Sequence, residues 1–210
     1  MAAFSKPPRL VGRGSELAFL EAELALAATG LRCVLLVADP GVGKSRLARE
    51  MLDGNRRGGL IMTARGSAFG ATTPFGLWSE AFESHLSRLA APQLLELCSG
   101  LPAEIAGLLP SVSPMIDHGG TSSPSRLRLV QGLTRLLANL TRQGPVLIFL
   151  DDVHLADPSS WAALSYIARN LAEEPVLLLL AARPAELSEH QLGTETLLGL
   201  EQEGRLVRLL

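Results

Sequence analysis

Residues 38 to 45 read Ala-Asp-Pro-Gly-Val-Gly-Lys-Ser, where a short apolar run, Cys33 to Ala38, meets a stretch of helical character. Gly41 and Gly43 can take positive φ, so successive backbone N–H groups can turn inward and wrap an anion. A helix beginning at Lys44 adds the positive end of its dipole at the same point. Lys44 offers a compact charge to β- and γ-phosphates, and the Ser45 hydroxyl can reach magnesium. The pattern is the phosphate-binding loop GxxxxGK[ST], with Ala38 where the first glycine is expected. Alanine fits there as long as its φ stays negative. Of the 19 lysines and arginines only Lys6 and Lys44 are lysine. A chain so biased towards arginine keeps lysine where a slim point charge serves better than a planar fork. Asp39, Pro40, Gly41, Val42, Gly43, Lys44, Ser45 and Arg46 are the candidate ATP-binding residues, against the plain alternative of a Gly-rich turn with a lysine at the surface.

A second apolar run, Val146 to Leu150, leads straight into Asp151-Asp152. Carboxylates at the carboxyl end of a buried parallel strand face the crevice where α/β sheets bind ligands. This has the form of a Walker B motif. Asp151 is placed to hold magnesium with Ser45, directly or through water, and Asp152 to orient or activate the attacking water. The bland reading is that the pair ends the strand. Arg183 closes a further apolar run before Pro184 and is a candidate for the γ-phosphate, or else a solvated strand terminus. His154 either senses phosphate or packs. Asp157-Pro158 reads as a helix start, with Asp at the cap and Pro in the first turn.

These groups need a scaffold. Cys33–Ala38, Leu60–Ala64, Val146–Leu150, Val176–Ala182 and Leu206–Leu210 are apolar runs too short for helices and read as buried strands. Between them, helical periodicity covers Ser15–Ala28, with Ser15 as the cap, then Lys44–Leu52, Leu127–Leu140, Ser159–Leu171 and Gln191–Glu203. Residues 66–124 form a helical and loop insert, with helical stretches at Leu77–Leu89 and Gln93–Cys98 broken by Pro92, Pro102, Pro110 and Pro114, and a Gly/Ser-rich, turn-like Asp117–Pro124. Strands alternating with helices predict a three-layer α/β fold around a mostly parallel sheet. Residues 1–210 read as a single domain.

Composition narrows the function. Net charge is −2 and the arginines are scattered, with no basic run longer than Arg56-Arg57, so this segment is not expected to grip DNA itself. Cys33 and Cys98 lie far apart and read as reduced, buried side chains. No leader-like segment opens the chain, and its longest apolar run is far short of the ~20 residues that span a bilayer. A cytoplasmic location without membrane contact is expected. The chain ends on Leu209-Leu210, an apolar terminus that reads as cut before a further element, so oligomers or aggregation at high concentration are expected.

Taken in order, Leu10-Val11-Gly12-Arg13 with Glu16-Leu17, the Asp39–Ser45 loop, Leu150-Asp151-Asp152-Val153-His154-Leu155-Ala156-Asp157 and Ala182-Arg183-Pro184 resemble one family. It is the N-terminal ATPase module of large LuxR-type bacterial transcriptional regulators, part of the STAND group of AAA-like ATPases. The module is also similar to the ATPase region of soluble adenylyl cyclases. The resemblance implies strand order 5-1-4-3-2, Val11 and Gly12 beside the adenine, Arg13 near the nucleotide, and Arg183 as a sensor. Gly14 stands where the family usually has Glu, and Leu155 where Trp is usual. In the family a helical lid, a repeat-rich sensor and a DNA-binding helix-turn-helix follow, none of which fits within this chain. A switch that binds ATP with Mg2+ and hydrolyses it slowly is therefore expected, exchanging ATP for ADP and meeting DNA only through a domain outside the chain. The competing readings are an ATP-driven AAA-type machine, and the ATPase module of an adenylyl cyclase-like signalling protein. Pro184 to Gly204 contains no Arg or Lys, so an arginine finger before the last strand is missing, which favours the switch.

Overall fold

The computed structural model describes residues 12–55, 58–68, 72–115 and 125–210. Val11 and the Asp117–Pro124 stretch lie outside the described residues. In chain order the elements are α1 (Gly14–Leu26), β1 (Arg32–Val37), α2 (Lys44–Gly54), β2 (Leu60–Arg65), α3 (Gly76–Leu86), α4 (Ala91–Leu97), α5 (Arg126–Thr141), β3 (Val146–Asp151), α6 (Pro158–Asn170), β4 (Val176–Ala182), α7 (Pro184–Glu189), α8 (Gln191–Gln202) and β5 (Leu206–Leu209). Short 3-10 turns fill several of the connections.

All four strand pairings are parallel, and the sheet runs β2-β3-β4-β1-β5. This is the expected order 5-1-4-3-2. Apolar side chains on both faces explain why the parallel sheet is covered on both sides, because successive strand residues point to opposite sides. Val34, Leu36, Leu147, Phe149, Leu177 and Leu179 meet Leu20 of α1 and Leu47, Ala48 and Met51 of α2. Cys33, Leu35, Ile148, Leu150, Leu178 and Leu180 face a larger cluster fed by α3, α5, α6 and α8. The result is three layers. Both cysteines are free and buried, and burial pushes the Cys33 thiol up to about 12, well out of reactive range.

The insert is stitched to the sheet. Its Phe75, Trp78 and Phe82 belong to the same cluster as the strands. Helix α3 lies along the outer edge of β2, where Ser84 Oγ accepts from the Thr63 N–H at 3.1 Å and Glu80 Oε1 from the Arg65 N–H at 3.1 Å. An edge strand's outward amides are thereby occupied by side chains.

Some local expectations need correction. Ser15 does not cap α1; the helix starts one residue earlier, Arg13 holds the N-cap position without a side-chain bond, and the Ser15 hydroxyl donates to Glu16 instead. Pro92 begins α4 instead of breaking a helix, because proline suits a first turn whose N–H groups have no helical partner. Helix α7 was not expected, and Pro184 opens it for the same reason.

Asp157 does more than start a helix. Its Oδ1 accepts from the N–H groups of Ser159 and Ser160 in α6 and from the N–H of Phe75, the residue before α3. Phe75 is buried at φ 60°, a left-handed conformation that a bulky residue holds only when its surroundings enforce it. Asp157→Ala would orphan these donors together. It is expected to cost about 3–4 kcal/mol, a helix cap plus one further buried N–H, read as a lowered midpoint in urea unfolding.

Candidate functional site

Registers align the carboxyl ends of three strands. Val37 of β1 lies opposite Ala182 of β4, and Leu150 of β3 opposite Leu180. The loop after β1, Arg183 after β4 and Asp151-Asp152 at the end of β3 therefore meet along one rim of the sheet, at the crevice where open α/β sheets take ligands.

The loop has the backbone its sequence called for. Gly41 and Gly43 sit at φ 82° and 97°, while Ala38 is not among the residues with positive φ. Gly43 is the N-cap of α2 and has no side chain with which to cap it, so the helix opens on the loop with its backbone N–H groups. By contrast, α6 is capped by Asp157. An uncapped helix start preceded by left-handed glycines is built to receive an anion.

Lys44 is not the surface lysine of the plain alternative: it is a buried residue whose Nζ donates to the carbonyls of Ala38 at 2.5 Å and Asp39 at 3.1 Å. With no side-chain carboxylate as partner among the described residues, the ammonium folds onto the nearest carbonyl dipoles of its own loop. Ser45 is half-buried beside it, and Arg46 is exposed on the first turn of α2. Arg13, just past Gly12, donates from Nη2 to the Val42 carbonyl at 2.8 Å, so the segment before α1 reaches the loop. Asp39, Pro40, Gly41 and Val42 are exposed, leaving the loop open to solvent.

Asp151 and Asp152 are both buried but differ in their partners. Asp151 Oδ1 accepts the Asp152 N–H at 3.1 Å. Asp152 adopts φ 49°, which a short polar side chain tolerates. Its Oδ2 accepts from Arg65 Nε at 2.9 Å and lies in an ion pair with Arg65 Nη2 at 2.9 Å, and its Oδ1 lies 4.0 Å from Arg183 Nε. The hydrogen bond and charge of Asp152, with Asp151 behind it, hold the Arg65 guanidinium above its usual range. Arg183 also pairs with Glu186 of α7 at 3.1 Å. Gly66 makes the approach of β2 possible, since a Cβ there would stand 2.2 Å from the Asp152 carbonyl oxygen.

Arg65 was not singled out from sequence. It ends an ordinary-looking strand, and only the register Arg65↔Asp151 brings it to the rim. An arginine at the carboxyl end of a strand next to the acidic one was the available signal.

His154 is buried between the ends of β3 and β4, and its Nδ1 accepts the Arg183 N–H at 3.5 Å. Burial lowers its pKa most, with Arg183 and Lys44 also lowering it and Asp152 and Glu186 opposing; burial likewise lowers that of His85. A histidine whose folded pKa is depressed takes up protons on unfolding, so the stability it confers is present above its unfolded value and lost below. The melting temperature should fall as pH drops from about 8 to about 5.5, through the ordinary histidine range. His154→Gln should flatten part of that slope, and an unchanged slope would remove His154 as its source.

For magnesium, Ser45 and Asp151 provide hard oxygen donors. Among the described residues no group of three or more His, Cys, Asp or Glu could hold a metal by itself. Among the described residues no helix is long and apolar enough to cross a membrane.

A family model described as AAA ATPase domain matches residues 9–179. An uncharacterized protein of Rhizobium meliloti (strain 1021) is 29% identical over 183 residues, covering 74% of this chain and 16% of that protein. Among solved structures, Cdc6p from Pyrobaculum aerophilum superposes with TM-score 0.54 at 17% identity, over 99% of this chain and 47% of its own. The Aeropyrum pernix ORC1 protein in complex with DNA gives 0.50 at 21% identity, over 89% of this chain and 42% of its own. At such identities the likeness establishes the fold. The chain spans less than half the length of these structures and about a sixth of its curated relative.

Proposed function

The chain belongs to the AAA ATPase domain family, and from that premise we propose that it is the ATP-binding regulatory module of a LuxR-type transcriptional regulator, holding Mg-ATP and hydrolysing it slowly. That it is a nucleotide-binding ATPase module follows from the family and fold. The observation that supports Mg-ATP binding is the rim itself, with the glycine-led α2 start, Lys44, Asp151-Asp152 and Arg183 on aligned strand ends. The regulator reading is supported by the order of the sequence motifs and by the lack of Arg and Lys between Pro184 and Gly204.

Backbone N–H groups from Gly41 to Ser45 receive the phosphates, and Lys44 exchanges the carbonyls of Ala38 and Asp39 for β- and γ-oxygens. Ser45 and Asp151 would hold magnesium, which when bound would neutralise phosphate charge. Arg183 contacts the γ-phosphate. Gly12 lies beside the adenine and Arg13 near the nucleotide, where Arg13 is already fastened to Val42. Asp152 positions the attacking water. A carboxylate already engaged by Arg65 and close to Arg183 is held away from the water it would position, which supports slow turnover. DNA contact in this reading belongs to a helix-turn-helix outside the chain.

Arg65→Ala should release Asp152. Turnover is expected to rise severalfold, the scale set by one exposed ion pair, with ATP affinity unchanged. Steady-state phosphate release beside a calorimetric titration measures both.

The module reading is tested by titrating ATP into the purified chain with and without magnesium; absence of binding in both would sink it. The regulator reading is tested on the neighbouring coding sequence. A helix-turn-helix downstream supports it, a cyclase domain upstream replaces it, and finding neither removes it.

A further inference from the structure

A second cavity, of about 590 Å³, opens at the carboxyl ends of β2 and β3. Its lining includes Arg65 but none of the phosphate-loop residues. The volume falls within the ~300–1,000 Å³ range of small-molecule sites. Pro74, Leu77, Leu108, Leu155 and Ala156 give it an apolar floor. The walls are fixed beforehand: Asp157 fastens the starts of both α3 and α6, and Ser79 Oγ donates to the Leu108 carbonyl at 2.7 Å across the cavity wall.

The charged groups in the lining define what fits. Asp157 is buried, with its oxygens engaged by the N–H groups of Phe75, Ser159 and Ser160 and by the Ser160 hydroxyl, so it offers nothing to a ligand. Arg65 gives Nε and Nη2 to Asp152, leaving further guanidinium N–H groups. Glu80 gives Oε1 to the Arg65 backbone N–H, leaving its second oxygen. One cation and one anion thus stand over an apolar floor. A simple anion would be opposed by Glu80, and a simple amine by Arg65. A zwitterion with an apolar body answers both.

We propose that this cavity is an effector site for a free α-amino acid with an apolar side chain, its carboxylate on Arg65 and its ammonium on Glu80. The regulatory consequence rests on the function proposed above: a ligand carboxylate that shares the Arg65 guanidinium with Asp152 draws it towards the cavity and weakens that pair, so occupancy loosens Asp152 and raises ATP turnover.

Binding is measured first without nucleotide, by calorimetric titration of L-leucine and L-phenylalanine into the whole chain. The controls are 4-methylpentanoate, which lacks the ammonium, and isopentylamine, which lacks the carboxylate. At least one amino acid should bind and neither control should. Glu80→Gln keeps an acceptor for the Arg65 N–H but removes the charge, and should weaken binding by about tenfold or more. Gly107→Trp fills the cavity mouth, where a Cβ meets no atom within 4 Å, and should abolish amino-acid binding while leaving ATP binding intact. Lys44→Ala should still bind the amino acid, so failure of the ATP reading is seen separately from failure of this one. No binding of either amino acid, equal binding by 4-methylpentanoate, or undiminished binding by Gly107→Trp would each overturn the proposal.

Discussion

Lys44→Ala is expected to lower Mg-ATP affinity by about 100-fold or more while the chain stays folded. The ammonium is the one compact charge on the loop, and charge-assisted contacts to two phosphates are worth about 3 kcal/mol together. Its burial raises the question of a structural role, because Nζ bridges the carbonyls of Ala38 and Asp39. Those carbonyls belong to half-buried and exposed residues that water can reach once the side chain is gone. The stability loss should therefore stay near 1 kcal/mol, the net value of a hydrogen bond exchanged for solvent. Calorimetry and urea unfolding on the same preparation separate the two effects. Lys44→Arg should not restore affinity, since a planar fork cannot enter a loop wrapped around a point charge. Unchanged affinity in Lys44→Ala would remove the phosphate-loop assignment.

The loop and sheet were legible in sequence because their determinants are local. Strands buried on both faces read as apolar runs, and Val176–Ala182 matches β4 at both ends. Gly41 and Gly43 announce positive φ through residue type alone, and Asp157-Pro158 announces a helix start. What sequence missed is set by pairing across the sheet or by contacts far along the chain. Arg65 matters only because β2 runs parallel to β3 in a register that places it against Asp151. Asp157 reaching Phe75 depends on a contact between residues 82 positions apart. The depth of Lys44 could not be read either, since it depends on how the loop folds back over its own side chain. The strand order itself came from the family resemblance; alternation of strands and helices fixes a parallel sheet without fixing which strand lies in the middle.

The two acids at the end of β3 look alike in sequence but are expected to respond differently. Asp151 has one oxygen on the Asp152 amide and, as the proposed magnesium ligand, acts on the bound state. Asp151→Asn should weaken magnesium-dependent ATP binding, because a neutral amide is a poorer ligand for a hard cation. Asp152 carries the left-handed backbone and the Arg65 pair, and its proposed contact is with the attacking water. Losing a contact made mainly in the transition state lowers turnover while leaving ground-state affinity alone. Asp152→Asn should bind Mg-ATP as the parent does and hydrolyse it about 10²-fold more slowly, the low end of general-base help. Arg65 sharpens the comparison. If Asp152 is the base, Arg65→Ala accelerates the parent but not the Asp152→Asn background, because nothing remains to be released. If Asp152→Asn turns over at the parental rate while Asp151→Asn is inert, Asp152 serves only to hold Arg65 at the strand end. The water must then be positioned by Arg183 or His154, which share the same rim.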